Sequence, residues 1–259
     1  MLQPEKIKQY SFGGILIEVR SSIPLKVGPK YDLFAVESVH APDYIIEIIP
    51  MQERQSPAVC RSTPGNGEAT YIRVELNSAA ISKLSLGRLF TMAEIPYLFL
   101  DHEAFILHAS YILREGKAVL FTAPSGVGKS TQAGFWHDCC GTEVINGDRV
   151  LITRNDDQYF ANGIYLTGKS GLCQNVTAPI DQIILLEQGQ KNELREIRPY
   201  ELFLRVLCQC TYNMNAEVQC SAITGLLEDL FKSVPVHCYR CRNHVDSVTD
   251  LERYLWGKS

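Results

Sequence analysis

Ala123-Pro124-Ser125-Gly126-Val127-Gly128-Lys129-Ser130-Thr131 follows directly on the apolar run Ala118-Val119-Leu120-Phe121-Thr122. The stretch matches the strand–loop–helix pattern of a phosphate-binding loop, with Ala123 in place of the first glycine. A loop that wraps a polyphosphate turns its backbone N–H groups inward, and Gly126 and Gly128 remove the side chains that would block that approach. Lys129 supplies a point charge for the β and γ phosphates, and Ser130 a hydroxyl for Mg²⁺. Residues from Gly128 through Trp136 can form a helix whose N-terminal dipole and free N–H groups favour an anion. The expected nucleotide contacts are therefore Ser125, Gly126, Val127, Gly128, Lys129, Ser130 and Thr131. The bland alternative is a Gly/Ser turn that opens an ordinary helix.

Upstream, Phe105-Ile106-Leu107-His108-Ala109-Ser110-Tyr111-Ile112-Leu113 and Ala118–Thr122 flank Arg114-Glu115-Gly116-Lys117. This reads as a β-hairpin that delivers the chain into the loop. His108 stands fifteen residues before Ala123, and on the hairpin reading it comes near the phosphates. Its plainer reading is a buried strand histidine satisfied by a backbone carbonyl.

Downstream, Cys139-Cys140-Gly141 suggests a helix stop. Glu143 to Ile152 then reads as two short strands joined at Asn146-Gly147-Asp148. Asp148 lies nineteen residues after Lys129, about one helix and one strand, so the chain can return beside the loop. A carboxylate there can hold Mg²⁺ or its waters. A simple Asn-Gly turn capped by Asp148 fits the same residues equally well.

The rest of the chain reads as follows. Gly14–Val19, Tyr44–Ile49 and Ile72–Leu76 are strand-like, with turn-rich pieces such as Ser62–Gly67 between them, and antiparallel pairing is expected. Glu18, Asp32 and Glu37 are expected to be solvated. The spacing of apolar residues from Leu84 to Leu100 is closer to helical, interrupted by Pro96. Ala161 to Asn175 reads as a mobile loop and Ala178–Glu187 as a strand. Pro199–Gln209 and Ala222–Lys232 read as helices, with Leu202, Val206, Leu226, Leu227 and Leu230 facing a core. Val234–Cys241 is a late strand. Val245, Val248, Leu251 and Leu255 mark a last amphipathic helix. The expected architecture is α/β, with a β-rich part over 1–95 and a phosphate-loop domain over 96–259.

Composition narrows the function classes. The chain has 259 residues and a net charge of -4, with 46% hydrophobic and 21% charged residues. No basic patch or tail for nucleic acid is present. The N-terminal residues lack an apolar signal core, and no run is long and apolar enough for a membrane helix. A cytoplasmic protein without nucleic-acid or membrane partners is expected, and a homo-oligomer is compatible with the composition. Nine cysteines read as mostly free thiols. Cys208-x-Cys210 and Cys238-x-x-Cys241 have zinc-like spacing, but residues three apart on a strand point to opposite faces. Neither the N-K-x-D base-reading motif of GTPases nor the L-S-G-G-Q of transporter ATPases occurs.

Leu107-His108-Ala109-Ser110, the loop fifteen residues beyond His108, and Asn146-Gly147-Asp148-Arg149-Val150 together resemble the kinase domain of HPr kinase/phosphorylase. That domain belongs with the phosphoenolpyruvate carboxykinase-like P-loop proteins. Ala178-Pro179 before a strand, Glu187-Gln188-Gly189, Asn192 and Val234-Pro235-Val236 extend the resemblance over about residues 100–259. It implies a P-loop kinase core of the HPr kinase type that uses ATP and Mg²⁺. His108 and Asp148 would flank the transferred phosphate, with Asp148 taking the proton of the acceptor hydroxyl. Ser130 and Asp148 would hold the metal, and Lys129 would neutralise phosphate charge. The family has two consecutive Asp at the second position, where this chain has Gly147-Asp148. The loop used for phosphorolysis has no match here, which argues against phosphorylase activity. Relatives of this size include kinases that phosphorylate lasso-peptide precursors on a C-terminal Ser, so the expected substrate is a hydroxyl of a peptide or small protein. A small-metabolite kinase and a nucleotide-binding regulator without transfer chemistry are the alternatives.

Overall fold

The computed structural model describes residues 6–51, 57–62 and 68–257, which form two compact units that divide between Leu98 and Phe99. In the first unit, β1 (Lys6–Phe12), β2 (Ile15–Ser21), β3 (Ala35–Val36), β4 (Tyr44–Pro50), β5 (Ala58–Ser62) and β6 (Thr70–Leu76) form one sheet in the order β3-β1-β2-β4-β6-β5. Helix α1 (Pro29–Asp32) precedes β3, and α2 (Ser78–Ile81), α3 (Leu86–Met92) and α4 (Ile95–Leu98) follow β6. Tyr44, Ile46 and Ile48 alternate with half-buried Ile45, Glu47 and Ile49, the period-two pattern of a strand. Phe90 of α3 meets Tyr10 and Phe12 edge-on, at 5.9 Å between ring centroids in each case. Pro96 sits in the first turn of α4, where its missing N–H costs nothing.

Two expectations for this unit are corrected. β2 and β4, and β4 and β6, pair in parallel; only the hairpin β1–β2 and the edge pairs are antiparallel. The long segment between β2 and β4 carries α1 and β3, and a connection of that length lets the chain cross over rather than turn back. Glu18 is 7% exposed, not solvated. It accepts a hydrogen bond from Gln9 Nε2 at 2.9 Å and pairs with Arg20 at 2.6 Å. Asp32 and Glu37 are exposed. Residues 63–67 of the expected Ser62–Gly67 turn lie outside the described residues.

The second unit is α/β. After a 3₁₀ turn (Phe99–His102) come β7 (Phe105–Leu107), β8 (Ala109–Arg114), β9 (Lys117–Thr122), α5 (Lys129–Cys140), β10 (Glu143–Asn146), β11 (Val150–Asn155) and β12 (Gln158–Gly163). The chain continues through β13 (Thr177–Gln188), β14 (Glu193–Arg195), α6 (Pro199–Leu207), β15 (Cys210–Thr211), α7 (Glu217–Ser233), β16 (Val236–Cys241) and α8 (Asp246–Trp256). β8 and β9 form the hairpin, with Glu115 and Gly116 both at positive φ, as a tight two-residue turn requires. β13 pairs in parallel with β9 on one side and β16 on the other.

Alternation along β9 explains its unbroken apolar run. Val119 and Phe121 pack with Ala133 and Trp136 of α5 and Val248 and Leu251 of α8. Ala118 and Leu120 belong to the opposite core, with Val206 of α6 and Ile223, Leu226, Leu227 and Leu230 of α7. A strand covered by helices on both faces is apolar at every position. Leu202 is partly buried against the same core.

Three details differ from expectation. Ala161-Asn162-Gly163 close strand β12 rather than opening a loop, because Asn162 Nδ2 donates to Leu151 O and its Oδ1 accepts from Thr177. Val245 is 45% exposed and precedes α8 instead of lining its apolar side. The first hairpin strand breaks at His108 into β7 and β8. β7 pairs with β11 and β15, while β8 pairs with β9 and β10.

Candidate active site around the P-loop

The loop between β9 and α5 has the geometry that its residues predict. Gly126 has φ of +85° and Gly128 φ of +122°, a region that L side chains rarely adopt. Gly128 precedes the first residue of α5, and Gly141 closes the helix in the left-handed conformation. Lys129 is 5% exposed, and its ammonium donates to Ala123 O at 2.9 Å and Pro124 O at 3.4 Å. Burial lowers its pKa, with Asp148 acting in the opposite sense and Arg149 in the same sense. Ser125, Gly126, Ser130 and Thr131 are exposed, and Val127 and Gly128 half-buried.

Thr122 Oγ1 donates to His108 O at 2.9 Å, and His108 N donates to Gln209 O at 2.9 Å. The break between β7 and β8 is thereby fixed, and the imidazole meets Asp148, with Nε2 and Oδ1 3.2 Å apart. The expected alternative of a histidine satisfied by a backbone carbonyl is not what the side chain does. Burial lowers the His108 pKa; Arg149 and Lys129 lower it further, against the raising effect of Asp148. The imidazole is therefore neutral at neutral pH.

Asn146 builds the junction between β10 and β11. Its Oδ1 accepts from Asp148 N at 3.0 Å and Arg149 N at 3.2 Å, and its Nδ2 donates to Ile164 O at 2.7 Å. Asn146, not Asp148, thus closes the turn, which leaves the Asp148 carboxylate free to face His108 on one oxygen and Arg149, 3.3 Å away, on the other. Ser130 and Ser110 both donate to Gly147 O, which ties the junction to α5 and β8.

These parts line one open cleft of about 610 Å³: His108, Ser125, Gly126, Gly128, Lys129, Ser130, Thr131, Gly147, Asp148, Gly168, Lys169 and Ser170. Val127 does not line it and instead borders a smaller cleft with Gln188 and Arg242. Every other residue expected at the site comes to the one cleft.

Four contributors have no role in the sequence reading, although Arg149 and Gln188 stand in stretches that carry the resemblance. Arg149 pairs with Asp148. Gln188 Nε2 donates to Gly126 O and Val127 O, both at 3.3 Å, and so braces the loop from β13. Gly168 and Ser170 press on the junction: a Cβ at Gly168 would lie 2.7 Å from the Asp148 carboxyl carbon, and one at Gly147 would collide with Ser170 Oγ. Glycine at 147 leaves the room that Ser170 occupies, which lets this turn close on Asp148.

Among the described residues no cluster of three or more His, Cys, Asp or Glu could hold a metal, the Cys208/Cys210 and Cys238/Cys241 pairs included. Ser130 and Asp148 offer hard oxygen ligands, a donor set that suits Mg²⁺, which is held by one or two side chains together with phosphate oxygens and water. Among the described residues no helix is long and apolar enough to cross a membrane.

No protein-family model matches the chain, and no curated protein matches it. Among solved structures it is similar to the HPr(Ser) kinase/phosphatase from Coxiella burnetii, at 14% sequence identity and a TM-score of 0.32, covering 57% of this chain and 95% of that one.

Proposed function

We propose that the protein is an ATP-dependent kinase that transfers the γ-phosphoryl group to a hydroxyl, with Ser of a peptide or small protein as acceptor. The observation that carries this reading is Asp148, held between His108 and Arg149 in the cleft that the glycine loop Ser125–Thr131 lines. Exposed loop residues on one side and Gly168–Ser170 on the other leave the cleft open to solvent, which suits an acceptor that arrives as a chain.

In this reading the acceptor oxygen forms a bond to the γ phosphorus as the bond to the β,γ-bridging oxygen of ATP breaks. The hydroxyl proton passes to Asp148, and ADP and a phosphoester leave. His108 is neutral and holds the Asp148 carboxylate in place. Lys129 moves from the loop carbonyls to the β and γ phosphates. Backbone N–H groups of Ser125 to Thr131 receive the phosphates. Ser130 and Asp148 would hold Mg²⁺, which neutralises phosphate charge when bound. Phosphoryl transfer needs mostly positioning and charge neutralisation, so this short set of groups is chemically sufficient.

A regulator that binds nucleotide without transfer is favoured by one observation: among the described residues lining the cleft, Asp148 is the single carboxylate. The experiment offers γ-labelled ATP and Mg²⁺ to a pool of Ser-ended peptides and to a pool of sugars and amino acids. Label in a peptide supports the reading. Label only in a small molecule replaces the acceptor class. Tight ATP binding with no transfer to either pool favours the regulator.

A further inference from the structure

Among the described residues, the cleft is lined by a second lysine besides Lys129. Lys169 lies at the centre of the Gly168-Lys169-Ser170 turn, is exposed, and lines the cleft together with Lys129 and Asp148. Among the described residues its ammonium makes no hydrogen bond or ion pair, whereas Lys129 is engaged with the carbonyls of Ala123 and Pro124 and Arg149 with Asp148.

The turn that carries Lys169 is built rather than loose. At its root Ile164, Tyr165 and Thr167 are buried. Ile164 O accepts from Asn146, Ser170 Oγ donates to Thr167 O at 3.0 Å, and Gln174 N donates to Ile145 O at 3.0 Å. The backbones of Cys173 and Asn146 pair in antiparallel fashion. Gly168, at φ of +56°, lets the backbone close on the Asp148 carboxyl group. A rigid root with an exposed lysine at its tip is the arrangement expected of a group that meets a charged ligand.

Position in the cleft selects which part of that ligand. Asp148 must stand where the acceptor hydroxyl meets the γ phosphorus, and the Lys169 turn packs directly on Asp148. We propose that Lys169 is a binding residue for the terminal phosphate of the nucleoside triphosphate, one that distinguishes ATP from ADP. The proposal rests on the kinase reading, and it adds a specificity residue that the loop pattern alone does not contain.

The test is equilibrium binding of ATP and ADP, by displacement of a fluorescent nucleotide, to the wild-type chain, Lys169→Gln and Lys169→Arg. Loss of one charge-assisted contact to the γ phosphate should weaken ATP binding to Lys169→Gln by about tenfold, leave ADP binding unchanged, and be largely restored in Lys169→Arg. Equal ATP affinity in wild type and Lys169→Gln, or an equal loss for ATP and ADP, overturns the proposal while leaving the kinase reading in place. A wild-type chain that binds neither nucleotide overturns both. Because the side chain is exposed and unpartnered, the variants should keep the wild-type melting temperature.

Discussion

Ser130 donates its hydroxyl hydrogen to the carbonyl oxygen of Gly147 at 2.9 Å. The first turn of the P-loop helix is thus fastened to the residue that precedes Asp148. Ser110, fully buried on β8, donates to the same oxygen at 3.0 Å. A single backbone carbonyl therefore joins the start of α5, the hairpin and the residue before the carboxylate. Ser110→Ala should cost about 1 kcal/mol of stability, the usual worth of one hydrogen bond, read from chemical denaturation. Ser130→Ala should cost a similar amount or less, because the site is exposed, yet lose far more transfer rate than Ser110→Ala. Equal losses of rate would show that Ser130 acts only as a fastener.

Gly147 and Ser170 are predicted to be coupled. A methyl group at 147 would collide with Ser170 Oγ, and overpacking of this kind costs about 1–3 kcal/mol. Gly147→Ala should lower the melting temperature, and adding Ser170→Gly should return most of the loss. Strictly additive effects in the double variant would contradict the packing described.

His108 should titrate below the ordinary imidazole value of about 6.5, because burial and the cations Arg149 and Lys129 oppose its protonation. A group whose folded pKa is depressed gives full stability above its unfolded pKa. As pH falls through the ordinary imidazole range that contribution is lost, and the loss is complete below the folded midpoint. Histidine proton resonances followed against pH give the midpoint directly. It should rise in Arg149→Gln, which removes a repelling cation, and fall in Asp148→Asn, which removes the attracting carboxylate. Opposite movements would contradict the geometry of this cluster.

Glu187 lies outside the cleft, on β13, with Arg205 at 2.6 Å, Arg240 at 3.2 Å and Arg195 at 3.3 Å. Burial pushes its pKa up, but the Arg205 hydrogen bond and the three guanidinium groups outweigh it, and the net shift is downward. Its contribution is present above the ordinary carboxylate pKa and is lost as pH falls through the lower folded value. Glu187→Gln should cost about 1–3 kcal/mol at neutral pH, with the gap to wild type closing in acid. A gap independent of pH would exclude the ionic part of this account.

The local parts of this structure were legible in the sequence. The Ala118–Thr122 strand, the glycines at 126 and 128, the helix stop at Gly141 and the hairpin turn at Glu115-Gly116 depend on neighbours within a few residues. What was not legible depends on tertiary pairing. Parallel pairing of β2, β4 and β6 is decided by where long connections travel. Burial of Glu18 depends on Gln9 from the facing strand. The sequence fits a functional Asp148 and an Asn-Gly turn capped by Asp148 equally well; in the fold Asn146 closes the turn and the carboxylate faces His108. The Gly168–Ser170 turn carries no motif, and its value comes only from resting on Gly147 and Asp148, 20 to 23 residues away in the chain.

The central claim is that Asp148 accepts the proton of the acceptor hydroxyl at a working phosphate loop. The most direct measurement compares wild type and Asp148→Asn in two assays on the same preparations: ATP binding, and γ-phosphate transfer to the acceptor found in the labelling experiment. The account predicts transfer reduced by about a hundredfold to ten-thousandfold, the usual worth of a positioned general base, with ATP affinity changed only a few-fold. Transfer at the wild-type rate in Asp148→Asn would contradict it and remove Asp148 from the chemistry.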